Sequence, residues 1–270
     1  MTRGRVTIFV LAAILCAAFP RGVAAQPLPD GLVSRASGIE AELIEPTTRY
    51  AHGVLGDAIE AGGFAATIGG RRHVYRLAQD AVFEDRRVRL VDLDGDGRPE
   101  ALIVKSYLAR GAALSVFDLG PEGIRPRAES PAIGTANRWL NPVGVGRFDG
   151  DAPLVAAVIT PHLAGSLRFY RLNGGALVEV ARLDGFTNHI IGSRDLDLGH
   201  VMDLDGRGTV VLPTLDRRAL AVVSLAGGQA RARIVTKVAS RIVGVRPGAT
   251  GRVMLQLEDG SSRNVALRPE

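Results

Sequence analysis

Asp92, Asp94 and Asp96 stand at alternate positions ahead of Glu100, with Gly95 and Gly97 interleaved. Alternate carboxylates followed by glycine can curl round one hard cation, and calcium takes about six to eight oxygens at roughly 2.3–2.6 Å. The side chains of Asp92, Asp94, Asp96 and Glu100, with the backbone carbonyl of Arg98, form a candidate calcium set. Gly95 and Gly97 allow the positive φ angles that so tight a loop needs. It is not an EF-hand, because the closing acid is the ninth residue of the loop and Ile103 holds the twelfth place. The plain alternative is an acidic turn that binds nothing. A transition-metal site at His52, His189 and His200 lacks any ligand spacing.

Three further stretches are polar and aromatic: Arg49-Tyr50-Ala51-His52-Gly53, Asn137 to Pro142 around Trp139, and Asn188 to Asp195. From them Arg49, Tyr50, His52, Asn137, Arg138, Trp139, Asn141, Asn188, His189, Arg194 and Asp195 make a candidate ligand face for a protein or a glycan. In the opposing reading Trp139 packs over a core and the amides cap turns. No Gly-x-Ser-x-Gly, phosphate loop or dinucleotide fingerprint is present, so no catalytic residue is assigned. An enzyme, a lyase or hydrolase with an Arg/His/Asp cluster on this face, is the alternative to a binding module; a purely structural scaffold is the third.

The elements that must position these residues are strands. Short runs rich in β-branched residues, such as Ala101 to Ser106, Leu154 to Thr160 and Val210 to Leu215, are bounded by Gly, Asp, Asn and Pro. Five segments end alike: His73–Leu77, Ser115–Leu119, Arg168–Leu172, Ala221–Leu225 and Arg263–Leu267. Their final leucines lie 42, 53, 53 and 42 positions apart, and Asp94, Asp149 and Asp205, each before a glycine, lie 55 and 56 apart. A period of about 40–55 residues is the size of a propeller blade. The expected fold is an all-β β-propeller of five blades with three to four antiparallel strands each. Blades are placed near 49–87, 88–138, 139–192, 193–239 and 240–270. The last is one strand short, and residues 38–48 are expected to close the ring from the N-terminal side. An open β-solenoid or paired sandwich domains are the alternative.

The run Asp92-Leu93-Asp94-Gly95-Asp96-Gly97-Arg98-Pro99-Glu100, followed by Ala101-Leu102-Ile103-Val104, resembles the calcium loop of the FG-GAP/VCBS repeat family, seen in integrin α-chain propellers and many bacterial exported proteins. The resemblance implies a propeller in which this loop joins two strands of one blade and the ion stabilises the hairpin. It covers most of residues 49–270, but only one loop matches in full. Near Asp149, Arg147 takes the first ligand position and Leu154 the last; near Asp205, Arg207 replaces the third acid. One occupied site is expected.

Composition bounds the rest. The chain has 270 residues, 46% of them hydrophobic, enough for a substantial core. Arg3 and Arg5, the apolar stretch Val6 to Phe19 and the small residues Val23-Ala24-Ala25 read as a secretory leader over 1–25, ahead of a single domain over 26–270. The apolar run is short for a membrane span. The one cysteine, Cys16, lies in the leader after Leu15, a poor lipidation context, and its removal leaves a domain without disulfides. The expected destination is the periplasm or the medium. Formal charge is +5, and without Arg3, Arg5 and Arg21 it falls to 30 basic against 28 acidic residues. No basic stripe with interleaved aromatics is present, so no nucleic-acid partner is expected.

Overall fold

The computed structural model describes residues 25–150, 152–249 and 251–268. The leader read at 1–25, with Cys16, lies outside them except for Ala25, as does Asp151. Among the described residues the chain is all β, with twenty strands and no helix. The strands fall into five antiparallel units. The first holds β1 (Ser34–Ala36), β2 (Ile39–Thr47), β3 (Glu60–Ile68) and β4 (Arg71–Arg76). The second holds β5 (Ala81–Phe83), β6 (Arg89–Val91), β7 (Glu100–Tyr107), β8 (Gly111–Gly120) and β9 (Gly123–Glu129). The third holds β10 (Leu140–Gly146), β11 (Leu154–Ile159), β12 (Ser166–Asn173) and β13 (Ala176–Leu183). The fourth holds β14 (His200–Leu204), β15 (Arg207–Pro213), β16 (Ala219–Ala226) and β17 (Gln229–Lys237). The fifth has only β18 (Ile242–Pro247), β19 (Arg252–Leu257) and β20 (Ser262–Ala266).

The first three units run together as one curled 13-stranded sheet that does not close on itself, and the last two form sheets of four and three strands. The joints inside the large sheet are thin. Ala61 opposite Phe83 is the one pair that links β3 to β5, and Ala176 beside Glu129 the one parallel pair that links β13 to β9. Outer strands follow one another in space as β4, β9, β13, β17 and β20.

Burial explains why the strands read as they do. Middle strands such as β7, β11 and β16 are covered on both faces and are nearly continuous apolar runs. Outer strands such as β4 and β17 carry exposed arginines in alternation. Four hydrophobic cores lie between successive units. Phe64, Phe83 and Phe117 centre the first, Leu102, Leu114 and Val155 the second, Phe148, Phe169 and Val210 the third, and Val211, Ile242 and Leu255 the fourth. In the first core the Phe64 ring meets Phe117 edge-on at 5.1 Å and Phe83 at 5.7 Å. Each such ring, fully buried, contributes about 1.5–3 kcal/mol.

Two expectations change. The segment 38–48 does not pair with the last unit: β2 lies between β1 and β3 of the first unit. Pro27 bridges Ile44 and Leu28 N donates to Leu43 O, so the chain before β1 already lines the free side of β2. The first unit therefore begins near residue 34 rather than 49. The repeat landmark His73–Leu77 also falls on β4, the fourth strand of its unit. The other four landmarks fall on third strands, β8, β12, β16 and β20, counting β5 and β6, which both pair with β7, as one position. This slip of one strand makes the first leucine spacing short.

The inner edge of the second unit is broken. β5 pairs with the Lys105–Tyr107 end of β7 and β6 with the Glu100–Leu102 end. Between them the chain bulges at Glu84 and Asp85. Glu84 N donates to Val104 O (3.1 Å), and Val104 N donates to Asp85 Oδ2 (3.1 Å), so a carboxylate stands where a backbone carbonyl would. The bulge leaves two carboxylates fully buried, and one of them organises the site described next.

Candidate functional site

Two sets of side chains lie at opposite ends of β7. At its start, the loop from Asp92 to Pro99 joins β6 to β7. The loop is tied by its own carboxylates. Asp92 Oδ1 accepts from Gly95 N (2.7 Å) and its Oδ2 from Gly97 N (3.0 Å), while Asp94 Oδ1 accepts from Asp96 N (3.1 Å). Gly95 and Gly97 take φ of +80° and +84°, as a loop folded this tightly requires. Glu100 reaches back, its Oε2 accepting from Leu93 N at 2.8 Å. One oxygen each from Asp92, Asp94 and Glu100 lies within 4.8 Å of the others. An all-oxygen set of that spread, without nitrogen or sulfur, could hold a hard cation. Burial raises the Glu100 carboxyl above its usual range, with Asp94 and Asp92 adding to the effect and the Leu93 N–H and Arg127 opposing it.

Asp96 stands apart from this group. Its Oδ2 accepts from Arg98 Nε (3.0 Å) and Nη2 (2.7 Å), and that guanidinium holds its carboxyl below the usual range. A second arginine enters from β9: Arg127 donates to Asp94 Oδ2 (2.8 Å), Glu100 Oε1 (3.0 Å) and Asp118 Oδ1 (3.2 Å). The residues fit a cation, with Arg127 as an internal competitor for two of the same carboxylates. The degenerate loops are otherwise engaged. Asp205 pairs with Arg268 (2.7 Å), and Asp149 Oδ2 accepts from Gly228 N (2.8 Å).

At the other end of β7, chain segments from the first three units converge on Glu84. His52 Nδ1 lies 2.6 Å from Glu84 Oε1, and the Ser106 hydroxyl donates to Glu84 Oε2. Trp139 Nε1 donates to the Glu84 carbonyl oxygen (3.0 Å). Glu60 sits close by, almost wholly buried, its carboxyl pushed up to about 10 by burial and then by the charges of Glu84, Asp57 and Asp85. Tyr50 OH accepts from Asn137 N (3.0 Å), and burial, then Glu84, raises its hydroxyl to about 12.

His52, Asn137, Arg138 and Trp139 thus share one cavity of about 240 Å³, as the ligand-face expectation requires of these four. His162 completes the floor, and Leu163 and Ile191, 59% and 69% exposed, stand among its apolar walls. The His162 ring stacks parallel to Trp139 (8°, centroids 6.1 Å apart). Its Nε2 lies 2.9 Å from His189 Nδ1, and His189 Nε2 lies 3.0 Å from Ser193 O. A carbonyl only accepts, so His189 carries its proton on Nε2 and accepts from His162 Nε2–H. This leaves His162 Nδ1 as an acceptor. Burial holds both rings down at about 4.

The other expected residues go elsewhere. Arg49 donates through Nε (3.0 Å) to Ala81 O and clamps a loop. Asn141 and Asn188 are fully buried and exchange side-chain bonds to each other's carbonyl oxygens (3.2 and 2.9 Å). His189 supports His162 from behind. Arg194 pairs with Asp57 and Asp30 and shares a separate cavity with Asp195, Arg86 and Arg87. Trp139 is 3% exposed, so it is a buried wall and not a protruding contact.

Glu84, Ser106 and His162 were missed from sequence. The only signal for Glu84 was an acidic pair, Glu84-Asp85, placed directly after the apolar run Ala81-Val82-Phe83. The chain matches no protein-family model and no curated protein, so both sites are read from their own geometry.

Proposed function

We propose that the protein is an exported, calcium-stabilised β-propeller of the FG-GAP/VCBS kind, serving as a binding module for a protein or glycan at the end that carries His52, Arg138 and Trp139. The observation that carries it is the meeting of Asp92, Asp94 and Glu100 oxygens within 4.8 Å at the turn of the β6–β7 hairpin. In this reading those three carboxylates and the Arg98 carbonyl hold the ion, which supplies positive charge that joins the loop to the base of β7. The five-blade reading draws support from five successive antiparallel units, with outer strands adjacent in order and a core between each neighbouring pair. Export is inferred from the leader alone.

Thermal melts of calcium-loaded and chelated protein test it. Binding to the folded state alone raises stability by about 2.7 kcal/mol at a hundredfold excess over Kd. Asp92→Asn should abolish the gain. Equal melting of loaded and chelated wild type would remove the calcium reading.

The enzyme alternative is favoured by one feature, the His52 ring held by buried Glu84 in a cavity, as an acid–base group would be. A hydrolase or lyase would lose turnover but keep ligand binding in Glu84→Gln, whereas a binding module would show no turnover to lose.

A further inference from the structure

The Trp139 cavity has a sign and a polarity pattern of its own. No carboxylate lines it. Arg138, half-buried, donates one bond to the neighbouring Asn137 carbonyl (2.9 Å) and has no acidic partner among the described residues. A guanidinium left with free N–H groups at a cavity wall suits a carboxylate, which it can meet with two parallel bonds.

Beside it, two imidazoles are held in fixed orientations by groups behind them. Glu84 takes Nδ1 of His52, and His189 takes Nε2 of His162. Their remaining nitrogens, His52 Nε2 and His162 Nδ1, bond nothing among the described residues and are not sealed from solvent. A hydrogen-bond donor next to the ligand's carboxylate would find an acceptor in His162 Nδ1. Apart from Asn137 and Thr160 the remaining wall is apolar, from the Trp139 ring to the exposed Leu163 and Ile191. At about 240 Å³ the space lies just below drug-sized sites of roughly 300–1,000 Å³ and suits one residue-sized group.

We infer that this cavity takes an apolar residue bearing a free α-carboxylate and an acylated amine: the C-terminal residue of a peptide, or an N-acyl amino acid of the same chemistry. Arg138 binds the carboxylate, an imidazole nitrogen accepts from the amide N–H, and the side chain lies between Trp139, Leu163 and Ile191. The inference rests on the reading of this end as the ligand face and names what that face recognises.

Trp139 is the chain's single tryptophan, so its emission reports on this cavity. Wild type is titrated with N-acetylleucine, with N-acetylleucinamide, and with a hexapeptide ending in leucine as free acid and as amide. Saturable changes are expected with the acids and at least tenfold weaker ones with the amides. A free acid that binds better than the peptide identifies a small-molecule source, and the reverse identifies a chain end. Arg138→Ala should weaken the acids at least tenfold with an unchanged melt. Leu163→Glu, on the rim, should repel the acids and spare the amides.

Acids and amides of equal affinity, or acids indifferent to Arg138→Ala, would overturn the inference while leaving a ligand face standing. Silence from every probe would overturn it too, and glycan and protein screens then judge the ligand face separately. The calcium melts are independent of either result.

Discussion

Trp139 and Glu84, 55 positions apart, are joined by a hydrogen bond from the indole Nε1 to the Glu84 carbonyl oxygen at 3.0 Å. Glu84 therefore holds two walls of one cavity, Trp139 through its backbone and His52 through its carboxylate. Trp139→Phe keeps an aromatic ring but leaves a buried carbonyl without its donor. A loss of about 1–3 kcal/mol follows, read by urea unfolding with circular dichroism. Trp139→Ala also opens a cavity and should cost about 3–5 kcal/mol. Loss of ligand in the alanine variant would then report on folding as well as on contact, which is why Arg138 is the better probe.

Glu60 predicts a fall of stability toward alkaline pH. Its carboxyl rises to about 10 in the fold from an ordinary 4.5. Between those values the folded state holds a proton that the unfolded state has released, so unfolding gains favour as pH rises. The slope from this one group is at most about 1.4 kcal/mol per pH unit. Glu60→Gln keeps the neutral shape and should flatten the profile between pH 7 and 9. Parallel profiles for variant and wild type would show that Glu60 is not protonated in the fold.

The histidine pair acts with the opposite sign. His162 and His189 are held near 4, below the ordinary 6.5, chiefly by burial. Below pH 6.5 the unfolded chain binds protons that the folded pair refuses, and stability falls with acidification until about pH 4. With Glu60 acting above, these three groups place the optimum near pH 6.5. Nitrogen-detected histidine spectra should show two rings neutral at pH 5, both protonated on Nε2, with the Nδ1 of His189 accepting from His162. Two rings titrating together near 6.5 would contradict the buried chain to Ser193.

The two ends of β7 were not equally legible in the sequence. Every carboxylate of the acidic loop lies within nine residues, and the bonds that fold it run from Asp92 to Gly95 and Gly97, so spacing alone reveals the group. Asp96, expected in the same set, is instead turned to Arg98 two positions on, whose guanidinium it accepts from. The cavity is assembled from His52, Glu84, Trp139 and His162, which no spacing connects; only the strand order of three units brings them together. From its place between strands Trp139 suits either a ligand contact or packing over a core; the Glu84 carbonyl gives its N–H a partner inside, and the ring is buried. Asn141 and Asn188 are buried for the same reason, each supplying the other's carbonyl with a donor. The misplaced first unit has a simpler cause. Third and fourth strands both alternate with a period of two, so His73–Leu77 looks like Ser115–Leu119 although it occupies the next strand out.

Arg127 gives the last prediction, and it separates two roles for the acidic loop. Its guanidinium donates to Asp94 and Glu100, two of the three carboxylates that would hold an ion. Lone pairs given to Arg127 are less available to a metal, so ion and guanidinium stabilise the same loop by partly exclusive means. In chelator, Arg127→Gln should lose about 1 kcal/mol, since the pairs are partly exposed and screened. For a chain of this length that corresponds to about 2–4 °C in melting temperature. In calcium the deficit should shrink or reverse, because the variant gains more from the ion than wild type does. An equal calcium increment in both proteins would mean that ion and arginine do not share these carboxylates. No increment in either would leave the loop as a turn neutralised by its own arginine.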